Sequence, residues 1–169
     1  MRTAAIVLHP FLKADYAVLI SWIDSPRVLL EFAGPHFTYP LTAAQLDLNV
    51  SDTRRHPFMA VDSHTGEKVG YAECYFLDQS TVKVARVFIA ARYRGMGNGT
   101  ALLQSLLQFA CTQCNAKRVV LNVFEHNKAA MTCYTKLGFV MQPNVFKRVD
   151  FEGETWRSVG MMLPLKSPE

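Results

Sequence analysis

The chain has 169 residues, half of them apolar and 19% charged, which predicts one domain with a real core and leaves no room for a second. Its net charge of +4 at pH 7 is dispersed, without the basic cluster and interleaved aromatics of a nucleic-acid binder, so an anionic small ligand explains the excess more simply. No apolar run approaches a membrane span, and Met1 to Leu8 runs into Pro10 with no cleavage site, so a cytoplasmic protein without membrane contact is expected.

In chain order, a short strand at Ala5 to Leu8 precedes a helix from Lys13 to Ile23, where Tyr16, Leu19, Ile20 and Ile23 recur at helical spacing. Asp24-Ser25-Pro26 stops that helix, a second spans Arg27 to Ala33, and Thr42-Ala43-Ala44-Gln45 has the form of a capping box opening a third, to Val50. Strands follow at Phe58 to Asp62, Lys68 to Leu77 and Thr81 to Ile89. Helix Gly99 to Ala116, strand Arg118 to Val123 and helix Asn127 to Leu137 complete a βαβα unit, and Phe139 to Arg148 with Trp156 to Leu163 form a terminal hairpin. Cys74, Cys111, Cys114 and Cys133 fit a reducing compartment; Cys111-x-x-Cys114 falls inside a predicted helix, where packing outweighs redox or metal use. No set of His, Cys, Asp and Glu has metal-ligand spacing.

Arg94-Gly95-Met96-Gly97-Asn98-Gly99 joins the strand ending Val87-Phe88-Ile89 to the helix beginning Thr100-Ala101. Glycines let the backbone pass close to a ligand, and the first amides of the helix point unpaired N–H groups at an anion, so the turn is a cradle for phosphate. No Lys-Ser or Lys-Thr follows, which excludes a P-loop, and the turn comes too late in the chain for a dinucleotide fingerprint. Further on stands Asn127-Lys128-Ala129-Ala130-Met131-Thr132-Cys133-Tyr134, closed by Leu137-Gly138-Phe139. The pair of motifs resembles the GNAT superfamily of N-acetyltransferases, whose signature is Arg/Gln-x-x-Gly-x-Gly/Ala and then Asn-x-x-Ala-x-x-x-Tyr with Leu-Gly-Phe. The resemblance is specific over Val82 to Phe139 and extends from Pro57 to the end.

That resemblance implies an α/β (α+β) fold, a mixed, mostly antiparallel twisted sheet flanked by helices, with acceptor-side helices over residues 1–56, an acetyl-CoA core over 57–139 and a C-terminal hairpin over 140–169. It implies acetyl-CoA as co-substrate and no metal. The pantetheine arm would dock as an added β partner on Val87, Phe88 and Ile89, leaving an N–H to polarise the thioester carbonyl. The pyrophosphate would lie on Arg94, Gly95, Met96, Gly97, Asn98, Gly99 and Thr100. Asn127 would bond the arm, cap its helix, or do both. Tyr134 is the candidate general acid for the departing thiolate, against a role as a core aromatic.

Symmetric antiparallel pairing of the two strands before the loop sets Glu73 opposite Arg86, Tyr71 opposite Phe88 and Tyr75 opposite Val84. Tyr71, Glu73, Tyr75, Arg86 and Phe88 then share one face, either a pocket wall or a covered sheet surface. The positions at which histone-type and ribosomal-protein-type relatives place a basic glutamate are Lys83 and Asn122 here. Glu73 is the nearest substitute, though pairing with Arg86 makes it a poorer base and better suited to position the substrate's cationic group, or to serve as a purely structural ion pair; Glu125 is a second candidate, and proton loss to water needs neither. Trp22, Phe32, Phe37 and Tyr39 suit an ammonium or an apolar amine body, joined by Tyr71 and Glu73, or simply form core under short helices. The expected function is acetyl transfer to a primary amine of a small molecule or protein N-terminus by direct attack in a ternary complex, with an idle acetyl-CoA sensor as the alternative; a homodimer is left open.

Overall fold

The computed structural model describes residues 4–165; Met1 to Thr3 and the last residues of the expected C-terminal hairpin segment lie outside that range. Strand β1 (Ile6–Pro10) is followed by helices α1 (Tyr16–Trp22), α2 (Pro26–Ala33) and α3 (Ala43–Val50), then by strands β2 (Arg55–Asp62), β3 (Lys68–Phe76) and β4 (Thr81–Ile89). Helix α4 (Asn98–Thr112), strand β5 (Arg118–Phe124), helix α5 (Lys128–Lys136) and strands β6 (Val140–Phe151) and β7 (Glu154–Pro164) complete the order. Local chemistry accounts for the helix starts. Ser25 Oγ accepts from Val28 N at 3.2 Å with Pro26 at the first helical position, and Thr42 Oγ1 accepts from Gln45 N at 3.3 Å. Helix α4 ends at Thr112 rather than at the expected Ala116, because Asn115 takes a left-handed φ of 55° and terminates the turn. Cys114 therefore lies beyond the helix.

The strands form one seven-stranded sheet in the order β1-β2-β3-β4-β5-β7-β6. Among the described residues β4 and β5 run parallel and the other neighbours antiparallel, which is the mixed, mostly antiparallel sheet the motifs implied. Strand side chains alternate, so each face builds its own core. On β2, Phe58 and Ala60 pack with Leu102, Leu103 and Leu106 of α4, whereas Met59 and Val61 pack with Leu19, Leu29 and Leu46 of the first three helices. No helix among the described residues is long and apolar enough to cross a membrane.

One irregularity organises the centre of the sheet. Tyr71 pairs with Phe88 as expected, but Glu73 pairs with Ala85 and Tyr75 with Lys83, where symmetric pairing set Arg86 and Val84. An extra residue is accommodated in β4 as a bulge, and Arg86 carries it with φ 52°. Because side chains alternate with a period of two, one inserted residue inverts the parity of everything after it. Val82 and Val84 face α4, while Phe88 and Ala90 face the opposite core.

Candidate functional site

The β4–β5 ladder holds only at its start, pairing Thr81 with Arg118, Val82 with Val119 and Lys83 with Val120. Beyond Lys83 the two strands part, and the outer backbone edge of β4 runs along a cavity of about 1170 Å³. Its walls include Val84 to Ile89 on one side and Asn122 to Phe124 on the other, with α5 and the glycine loop closing one end. A strand edge inside a cavity presents unpaired N–H and C=O groups, the arrangement an extended amide-bearing ligand needs for β pairing. Val87, Phe88 and Ile89 all lie on this wall.

At the loop end, Gly95 and Gly97 adopt φ of 72° and 82°, left-handed conformations that swing the chain around before α4 begins. Arg94, Gly95, Gly97, Gly99 and Thr100 line the cavity. Met96 and Asn98 do not. Met96 lies in a separate, smaller depression and is 61% exposed, and Asn98 is buried, its Nδ2 donating to Tyr93 O at 2.9 Å to fasten the loop from behind. Their side chains are thus removed from the expected phosphate cradle. Arg94 keeps its guanidinium at the rim, Nε donating to Ile89 O at 2.8 Å. A Cβ added at Gly99 would meet nothing within 4 Å, and Gly99 has no positive φ, whereas any side chain at Gly97 is strained by its backbone. Gly99→Val is therefore expected to keep the melting temperature while weakening acetyl-CoA binding by roughly a hundredfold, the loss of two charge-assisted hydrogen bonds. Gly97→Val should lose stability as well. Isothermal titration beside thermal melting checks both, and undiminished affinity in Gly99→Val would remove the loop from the ligand site.

Asn127 is the N-cap of α5, its Oδ1 accepting from Ala130 N at 3.2 Å, and it also lines the cavity. Tyr134 follows on the same wall. It is 7% exposed, its ring stands 5.9 Å from that of Phe139, and burial, with Cys133 beside it, pushes its phenol well above the usual range. A phenol held protonated keeps a proton to give. Thr100 Oγ1 and Cys133 Sγ meet at 3.2 Å, tying α4 to α5 where the loop turns into the cavity.

The expected acceptor residues mostly gather in the core beneath the first helices rather than on the cavity wall. Phe32 lines the cavity. Trp22 stacks on Phe88 with centroids 6.2 Å apart, Phe37 lies 5.4 Å under the Arg86 guanidinium, and Tyr39 is half exposed with Oη donating to Asp24 O at 3.0 Å; none of these reaches the wall. Glu73 and Tyr71 are buried behind it, at 0% and 1% exposure. Both carboxylate oxygens of Glu73 are occupied: Oε1 accepts from Tyr71 Oη at 2.6 Å and Asn49 Nδ2 at 2.8 Å, and Oε2 from Arg55 Nη1 at 2.6 Å and from Arg86. A carboxylate with four donors and no access to solvent has no free lone pair to take a substrate's proton or meet its ammonium, so the expected roles of Glu73 as base or direct anchor, and of Tyr71 as a substrate contact, are corrected to structural ones. Glu125 pairs with Arg157 and is likewise off the wall.

The Glu73–Arg86 ion pair forms although the expected register does not, and Asn49 and Arg55, which complete it from α3 and β2, were not foreseen. The available signal was Asn49 itself, a polar residue interrupting the apolar face that Leu46 begins. The positions expected to lack a base do meet: with its amide turned to satisfy both neighbours, Asn122 Oδ1 accepts from Lys83 Nζ at 3.1 Å. Burial first, then the charges of Lys147, Arg86 and Arg55, hold the Lys83 ammonium below its usual range. Among the described residues no group of three or more His, Cys, Asp or Glu could hold a metal ion.

The fold that carries the parted strand pair, the glycine loop and the buried tyrosine is shared with known proteins. A spermidine N-acetyltransferase from Vibrio cholerae, crystallised with CoA and spermine, superposes with a TM-score of 0.79 over 94% of this chain and 95% of that one, at 17% identity. In sequence, the chain is 36% identical over 69 residues to a spermine/spermidine N(1)-acetyltransferase of Bacillus subtilis, a match covering 41% of this chain and 43% of that protein. It is 31% identical over 114 residues to an uncharacterized N-acetyltransferase of Mycobacterium tuberculosis, covering 68% and 71%. Residues 19–139 match the model of the acetyltransferase (GNAT) family, and with that span holding both the glycine loop and Tyr134, the chain belongs to this family.

Proposed function

We propose that the chain transfers acetyl from acetyl-CoA to a primary amine, of a small molecule or a protein N-terminus, by direct attack in a ternary complex. The parting of β4 from β5 beyond Lys83 carries this reading, because it gives an amide-bearing arm a free strand edge that leads from the phosphate cradle toward the bulge at Arg86. In this reading β4 amides pair with the arm and polarise the thioester carbonyl, the cradle neutralises phosphate, and Tyr134 gives its proton to the departing sulfur. Initial-rate kinetics of CoA release, varied in both substrates, should give intersecting lines. Parallel lines would indicate a covalent acetyl-enzyme, and acetyl-CoA binding without release toward any amine would leave an idle binding module.

With no free carboxylate on the reacting stretch of wall, the amine loses its proton to water. The value of kcat/KM is then expected to rise with pH toward the pKa of the amine and to follow that pKa when acceptors are changed. A fixed inflection that vanishes in Lys83→Met would make Lys83, whose charged form its surroundings disfavour, the base instead.

A further inference from the structure

The cavity holds more positive charge than its own acids balance. Arg94 and Lys128 sit at the phosphate end, but Lys83, Arg86, Lys147 and Arg148 line the wall away from it, and Glu31 is the carboxylate that the described lining supplies. Glu31 already faces His126 at 3.7 Å. Arg86 is paired with Glu73, a carboxylate it shares with Arg55, which also meets Asp52 at 3.9 Å. The Arg86 side chain is only 9% exposed, and its Nε has no hydrogen-bond partner among the described residues. No ion pair among the described residues engages Lys83, Lys147 or Arg148. That Lys83, Lys147 and Arg86 lie close together is visible at Lys83, whose proton affinity is lowered by Lys147 and Arg86 after burial. Lys83 and Arg86 are the sheltered members of this set, and holding like charges there is costly unless an anion completes it.

Resting on the transferase reading above, we infer that the acceptor bears an oxyanion beside its amine, received by Arg86, Lys147 and Arg148, so that amino-acid-like or phosphorylated amines are substrates and polyamines are not. Guanidinium groups suit this task, since their planar N–H fork matches the two oxygens of such a group. A polyamine would instead add its own positive charges to a wall with one carboxylate. The same field disfavours the acceptor's ammonium over its free amine, which supplies the nucleophile where relatives use a glutamate and this chain has Lys83 and Asn122.

CoA release by the full chain, measured for alanine and methionine against their α-amides, for phosphoethanolamine against ethanolamine, and for spermidine, tests the inference. The oxyanion member of each productive pair should lead in kcat/KM by roughly ten- to hundredfold, as one charge-assisted hydrogen bond allows. The carboxylate pairs and the phosphate pair distinguish which oxyanion is meant. In Lys147→Gln and Arg148→Gln, both at exposed positions of β6, the lead should shrink through KM for the acceptor while KM for acetyl-CoA holds. Spermidine or the neutral partners matching the oxyanion acceptors, or a lead untouched in both variants, would overturn it. If acetyl-CoA binds but no amine releases CoA, the transferase reading falls alone. The charge inference is then read from melting of the CoA-loaded protein, which methionine or phosphoethanolamine should stabilise and the neutral partners should not; equal shifts would overturn it too.

Discussion

Tyr134→Phe is expected to lower kcat by roughly ten- to ten-thousandfold, the range for losing a general acid, with acetyl-CoA affinity preserved. The substitution removes one oxygen and keeps the ring, which packs near Phe139 within the main core, so the fold should survive. The hydroxyl is held protonated by burial and by Cys133, and a proton is what the sulfur needs as its bond to the acetyl carbon breaks. A thiolate expelled into a half-closed cavity without a donor must carry its full charge, and the barrier rises accordingly. Steady-state kinetics with acetyl-CoA and a fixed acceptor decide the matter. A variant with undiminished turnover would confine Tyr134 to packing α5 on the sheet.

Glu73→Gln is expected to cost about 3–5 kcal/mol of folding stability, because it leaves the guanidinium groups of Arg55 and Arg86 buried without their counter-charge. The two side chains are 11% and 9% exposed, so water replaces the lost carboxylate poorly. The new amide also offers one acceptor oxygen where Glu73 offers two, to four donors that all point at it. Equilibrium urea unfolding measures the loss, and combining the change with Arg55→Met should recover part of it, since one buried cation is then removed. A loss under about 1 kcal/mol, of the size seen for exposed pairs, would show that the cluster is screened by solvent. Activity should fall with it through Arg86, whose place on the wall depends on Glu73.

Much of the architecture could be read locally. Strand β4 spans Thr81–Ile89 as its apolar, β-branched run indicated, and α2, α3 and α5 begin at Ser25, Thr42 and Asn127 because a side-chain oxygen there satisfies a backbone N–H within the next turn. The glycine loop and the Asn127 to Tyr134 helix were legible for the same reason, since a left-handed turn and a cap need particular residues at particular places. The bulge was not: it is carried by Arg86, which has no intrinsic preference for φ 52° and marks no turn in the sequence. Its position depends on how β3 and β4 settle against two different cores. The parting of β4 and β5 is equally non-local, a pairing that stops at Lys83 and Val120 across an intervening helix. Glu73 shows the limit most directly. Two of its four donors, Asn49 and Arg55, come from α3 and β2, and only their convergence turned an expected anchor for substrate into a buried counter-ion. Period, cap and turn act over a few residues and are written in the chain; which charges are buried together, and which of them are left facing the cavity, depends on distances that exist only once the sheet has formed.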